Sequence, residues 1–156
     1  MKTTILTGLV NLGERSELID NANNMKIIDN NLLDKVSCQA KESERLRMNY
    51  NFHEDLSDGC QRLLNALEPG TIMPIHHHKV DEMFVILRGR VNVTIHNDEG
   101  EVIQSVELSP SNGNYAVNIK AGEWHSLTCE EANSVIMEVK EGPYVPHEIG
   151  GVLTLR

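Results

Sequence analysis

The sequence predicts an all-β domain, a barrel or sandwich of short strands preceded by one short helix. Beyond Gln61, strand-like runs of five to seven residues follow one another, and turn-favouring residues separate them. Only one stretch, from Asn31 to about Ala40, places its apolar residues at helical spacing.

Residues 1–24 turn polar after the first ten and carry no period. They are expected to form a leader ahead of a folded unit over 25–146, with 147–156 as a tail. Lys2 precedes a short apolar patch, but Thr and Gly interrupt it and no small-residue cleavage site follows, so export is not expected. Leu32, Leu33, Val36 and Ala40 define the helix, with Asn30 as its expected N-cap; it should lean on the barrel. Arg45 to His53 alternates in character and is expected to run extended, followed by a turn over Asp55–Gly59. Strands are then expected at Arg62–Glu68, Met83–Leu87, Val91–Ile95, Val102–Leu108, Tyr115–Ile119, Trp124–Cys129 and Ser134–Val139. Pro69-Gly70, Asn97–Gly100 and the Ser109–Asn114 loop punctuate them, and Arg88-Gly89-Arg90 reads as a tight hairpin.

At 156 residues the chain suits one domain, and 40% hydrophobic with 24% charged residues is a globular balance. A net charge of -9 repels phosphate backbones and anionic lipid, so nucleic acid and membrane partners are not expected. No apolar run approaches the ~20 residues of a membrane span. Cys38, Cys60 and Cys129 are odd in number and widely spaced, which suggests reduced thiols in a cytoplasmic protein.

His76-His77-His78 and Glu82 carry the chemistry. In an extended chain alternate side chains share a face, so His76 and His78 point together and His77 points away. Glu82, at the start of a strand, is expected to return to that same rim. Two imidazoles and a carboxylate suit a divalent transition metal such as iron, manganese, nickel, copper or zinc. A fourth ligand must come from another strand, and His125, after Ala121-Gly122, is the candidate.

Gly70, His76, His78, Glu82 and Gly89 keep the spacing of the first motif of the cupin superfamily without a gap. Gly122 and His125 fit the second motif, while Lys120 stands where Pro is usual and Cys129 where Asn is usual. The blocks Arg45–His53, Gln61–Thr71, Phe84–Arg90 and Glu138–Tyr144 further resemble the WbuC-type cupin-fold metalloproteins, over about Met25 to Pro146. The resemblance implies a cupin (double-stranded β-helix, jelly-roll) barrel, a bound metal, a link to sugar or surface polysaccharide metabolism, and a homodimer. It implies no particular reaction.

Four protein ligands on a six-coordinate ion leave two positions for water or substrate, as a catalytic ion needs. A closed structural zinc site would favour thiolates, and no Cys lies in the ligand spacing. Cys129, four residues after His125, is read as core packing before any outer role at the metal. Arg45, Arg47, Asn49 and Asn51 share one face and, with His53, are candidate substrate contacts, the guanidinium forks suiting a carboxylate or phosphate. Tyr50 and Trp124 are candidate stacking surfaces for a sugar ring, whereas Arg88 and Arg90 are expected to be solvated. Two functions compete: a metal-dependent isomerase or epimerase, lyase or oxygenase acting on a small polar metabolite, anionic or sugar-like, and a non-catalytic module in which the metal anchors a ligand.

Overall fold

The computed structural model describes residues 25–144 and 149–153; the expected leader lies outside them. The helix α1 covers Asn30–Glu42. Its N-cap is Asp29 rather than Asn30: the Asp29 side chain accepts the Leu32 amide at 3.0 Å, closing an otherwise open first turn.

Ten strands follow: β1 Arg47–Asn51, β2 Cys60–Leu67, β3 His76–His78, β4 Glu82–Arg88, β5 Val91–His96, β6 Val102–Leu108, β7 Ala116–Ile119, β8 Trp124–Cys129, β9 Ser134–Glu141 and β10 Ile149–Val152. They form two five-stranded sheets, β1-β2-β9-β4-β7 and β10-β3-β8-β5-β6, with all pairings antiparallel. Among the described residues the observed architecture is thus the all-β jelly-roll with one short helix.

Period-2 alternation decides what each sheet buries. On the first sheet, Leu67, Phe84, Ile86, Ile119 and Ile136 face inward and meet Val91, Val93, Leu108, Leu127 and Cys129 of the second. The intervening residues Leu64, Ala66 and Val135 face outward and take Leu33, Val36 and Ala40 of α1. The helix therefore leans on the outer face of one sheet, as its apolar stripe requires.

Three expectations change here. Arg88-Gly89-Arg90 is no hairpin: β4 and β5 lie in different sheets, and the chain crosses between them at this point. Gly89 takes φ +80°, and a Cβ there would stand 2.8 Å from the Ser134 Cα. Ser134 is itself fully buried and accepts the Arg90 amide at 3.0 Å, so the crossing is packed too tightly for any side chain. Arg88 is not simply solvated either. It reaches Asp34 of α1 at 2.6 Å, Ser37 Oγ at 2.9 Å and the Asn133 carbonyl at 3.1 Å, tying helix to barrel. Within the segment expected to be a tail, β10 adds an edge strand to the second sheet, pairing Ile149 with His78 and Val152 with His76. Its short Ile-Gly-Gly-Val sequence has too little alternation to announce a strand, and pairing with β3 supplies the order.

Gly89→Ala should lower stability by about 2–4 kcal/mol, from left-handed strain plus the Ser134 collision. Gly113, also at φ +80° but with open space around it, isolates the strain: Gly113→Ala should cost only about 1 kcal/mol. Urea unfolding midpoints of the two variants compare the terms.

Candidate metal centre

Toward one end of the barrel, the inward faces change from apolar to polar. Along β9 the inward series runs Ile136, Glu138, Lys140; along β8 it runs Leu127 then His125; along β4 it runs Ile86, Phe84, Glu82. In β3, His76 pairs directly with His125 of β8. His78 follows on the same face, and one ligand atom from each of His76, His78, Glu82 and His125 lies within 4.8 Å of the others. Glu82 does not share the histidines' rim, however. The turn at 79–81 carries the chain to the opposite sheet, so the carboxylate faces the imidazoles across the interior.

The donors are set up for a cation. The His76 Nδ1 meets the Pro74 carbonyl at 2.9 Å and the His125 Nδ1 meets the Glu123 carbonyl at 2.9 Å. A carbonyl only accepts, so both Nδ1 atoms carry the proton and both Nε2 lone pairs point inward. Glu82 Oε2 and His125 Nε2 lie 3.1 Å apart, buried, and neither makes a hydrogen bond. Buried polar atoms without partners are costly, and an ion between them would satisfy both. Burial also pushes His76 below the usual imidazole range and His78 down to about 3, which keeps their lone pairs free near neutral pH. His125 goes the other way: burial opposes its charge, but the Glu82 carboxylate and the Glu123 carbonyl raise it. The residues therefore fit a single divalent transition ion.

Glu138 and Lys140 are the site residues that sequence reasoning missed. Lys140 stands opposite Glu82 in the β4–β9 register, and its Nζ lies 3.4 Å from Glu82 Oε1 and 2.5 Å from Glu138 Oε1. Asn65 donates to the other Glu138 oxygen at 2.6 Å. Burial alone would raise Glu138; the ammonium beside it brings it below the usual carboxylate range. Burial likewise raises Glu82, with His125 and Lys140 opposing. The detectable signal was two charged residues at successive inward positions of an otherwise apolar strand.

A cavity of about 360 Å³ opens from this cluster. Arg45, Arg47, Asn49, Asn51 and His53 all line it, as β1 is the edge strand beside β2. Arg47 donates to the Ile72 carbonyl at 2.8 Å, and burial, then Arg45, pull its pKa down. His53 is buried, its Nδ1 3.1 Å from both the amide nitrogen and the carbonyl oxygen of Arg62.

The two aromatic candidates lie elsewhere. Tyr50 alternates to the outer face of β1, where it packs edge-on against Phe52 beneath α1. Trp124 precedes the inward His125, so it faces out, against His77 at 4.3 Å and donating to Asp98 at 3.0 Å. Cys129 sits in the apolar core about 13 Å along β8 from His125. Its Sγ is 3.1 Å from the Glu131 carbonyl and 3.3 Å from that of Leu67, a packing role.

This fold and site define a cupin-type barrel with a candidate metal centre at one end. The chain belongs to the family described as Domain of unknown function (DUF6016), whose model matches residues 28–108. Similar solved structures include a Thermus thermophilus protein, 21% identical over 75% of this chain and 97% of that one, TM-score 0.55. A cupin superfamily protein from Desulfitobacterium hafniense is 15% identical over 61% of this chain and 76% of that one, TM-score 0.50. Oxalate decarboxylase from Bacillus subtilis is 20% identical over 65% of this chain but 26% of that longer one, TM-score 0.51. At these identities the likeness establishes the fold. No curated protein matches the chain. No helix among the described residues is long and apolar enough to cross a membrane.

Lys140→Met leaves Glu82 and Glu138 buried without their ammonium and should cost about 3–5 kcal/mol. Adding Glu138→Gln should restore part of it. Urea unfolding with chelator present measures both, and an additive double variant would refute the coupling.

Proposed function

We propose that the chain is a metal-dependent enzyme acting on a small polar metabolite held between the ion and the arginine-bearing edge strand. The observation that carries this reading is that three of the four donors, His76, His78 and Glu82, line a cavity, while His125 is buried. Three imidazoles and a carboxylate suit iron, manganese, nickel, copper or zinc, and four protein ligands leave open positions on a six-coordinate ion. Manganese is the first to test, since Bacillus subtilis oxalate decarboxylase has Mn(II) centres. Such an ion, when bound, supplies a Lewis acid for a substrate oxygen.

The chain's own residues do the rest. Lys140 holds Glu82 Oε1, which lies 3.5 Å from His78 Nε2, and leaves Oε2 toward His125. Phe84, Leu63 and Met73 line the cavity and exclude water, which strengthens every charge interaction inside it. Arg45 and Arg47 orient the ligand from the mouth.

The WbuC-type kinship belongs to this proposal, supported by the four sequence blocks that carry it. With it come a sugar or nucleotide-sugar substrate, isomerase, epimerase, lyase or oxygenase chemistry, and a homodimer. A cytoplasmic setting is in keeping with the unpaired thiols of Cys38, Cys60 and Cys129.

Protein purified without added metal should contain close to one equivalent of a transition metal, while His76→Ala and His125→Ala should contain almost none. Metal at a hundredfold over its Kd should add about 2.7 kcal/mol of stability, read as a chelator-sensitive rise in Tm. Turnover in a panel of sugar phosphates and nucleotide-sugars, with and without oxygen, tests the enzyme reading. Metal-loaded protein that binds ligands and converts none would be a binding module instead.

A further inference from the structure

We infer that the cavity takes a compact, oxygen-rich anion of about monosaccharide size, its carboxylate or phosphate gripped by Arg45 and Arg47 and its other oxygens turned toward the metal ligands. The inference deepens the proposed function and rests on it.

Charge is the first ground. The chain as a whole carries -9, yet the charged residues lining the cavity are Arg45, Arg47 and Lys140 against Glu82 and Glu138. The balance is positive before any ion, and a divalent ion adds two more charges. A cavity of one sign in a protein of the other concentrates ions of opposite charge to its walls. A neutral ligand has no use for such a field.

The free donors are the second ground. Lys140 is engaged by Glu82 and Glu138, but the Arg45 guanidinium has no hydrogen-bond or ion-pair partner among the described residues. Arg47 is held at the wall through its Nη1 on the Ile72 carbonyl, which leaves its remaining N–H groups for a ligand. Two neighbouring guanidiniums with spare N–H groups match an oxyanion in geometry as well as charge. Asn49 and Asn51, next along the same face, have side-chain amides without partners among the described residues and suit hydroxyl groups.

Size is the third. At about 30 Å³ per water, roughly a dozen waters fill 360 Å³. A monosaccharide acid is close to that size. A nucleotide-sugar has roughly three times as many non-hydrogen atoms and would stand out past Arg45 into solvent.

The test uses Mn(II)-loaded full-length protein and calorimetric titration with glucose, glucuronate, glucose 6-phosphate and UDP-glucuronate. Glucuronate, glucose 6-phosphate or both should bind at least about tenfold tighter than glucose. Which of the two does so identifies carboxylate or phosphate as the anionic group. UDP-glucuronate should bind no tighter than glucuronate. Arg45→Ala and Asn49→Asp, both at exposed positions, should erase most of the preference for the charged ligand while metal content stays full. The inference is overturned if glucose binds as well as the anions, if no ligand binds, if the nucleotide-sugar binds far tighter, or if both variants keep the preference. Loss of the proposed function is separable: it shows as wild-type protein that holds no metal before any ligand is added.

Discussion

Burying Glu82 is the constraint on which the site depends. Its carboxylate is 2% exposed inside a barrel whose neighbouring layer is Phe84, Ile86 and Leu127. A lone charge there would cost several kcal/mol or stay protonated. Lys140 compensates in part, but it also serves Glu138, so two carboxylates share one ammonium. The neutral imidazoles of His76 and His78 offer lone pairs and no charge. A divalent cation at the point where the four donors meet would more than offset the remaining negative charge and would give Glu82 Oε2 and His125 Nε2 the partner they lack.

The rest of the barrel makes that meeting point reproducible. The apolar end supplies the packing, with Val91 and Leu108 fully buried. The polar end can then hold mutually repelling groups without setting the fold itself. Helix α1 is kept away from the cavity because it covers the outer face, and Arg88 fastens it there through Asp34 and Ser37. β3 has three residues and a single register pair with β8, yet that pair joins two of the ligands. β10 braces the other side of β3, so a strand that looked dispensable stands against the histidines.

Several features were legible in the sequence because they depend on short-range periodicity. The strands from β5 to β9, the turn at Asn97–Gly100 and the helix follow from alternation, turn chemistry and a helical apolar stripe. The face shared by Arg47, Asn49 and Asn51 follows the same rule and lines the cavity, whereas Arg45 reaches the cavity from the turn before β1, where Leu46 takes φ +54°. Tyr50 could have been excluded on that ground, since alternation puts it opposite Asn49.

What the sequence by itself determined is the candidate donors and their faces: His76 and His78 together, His77 apart, and a strand bringing in His125. Which sheet each strand joins was decided only in three dimensions. Pairing depends on contacts far apart in the chain, so neither the crossing at Gly89 nor the position of Glu82 across from the histidines had a local signature. The same holds for Lys140. Its role comes from standing opposite Glu82 in a strand more than fifty residues away, and only the register of the folded sheet could bring that charge to the ligand.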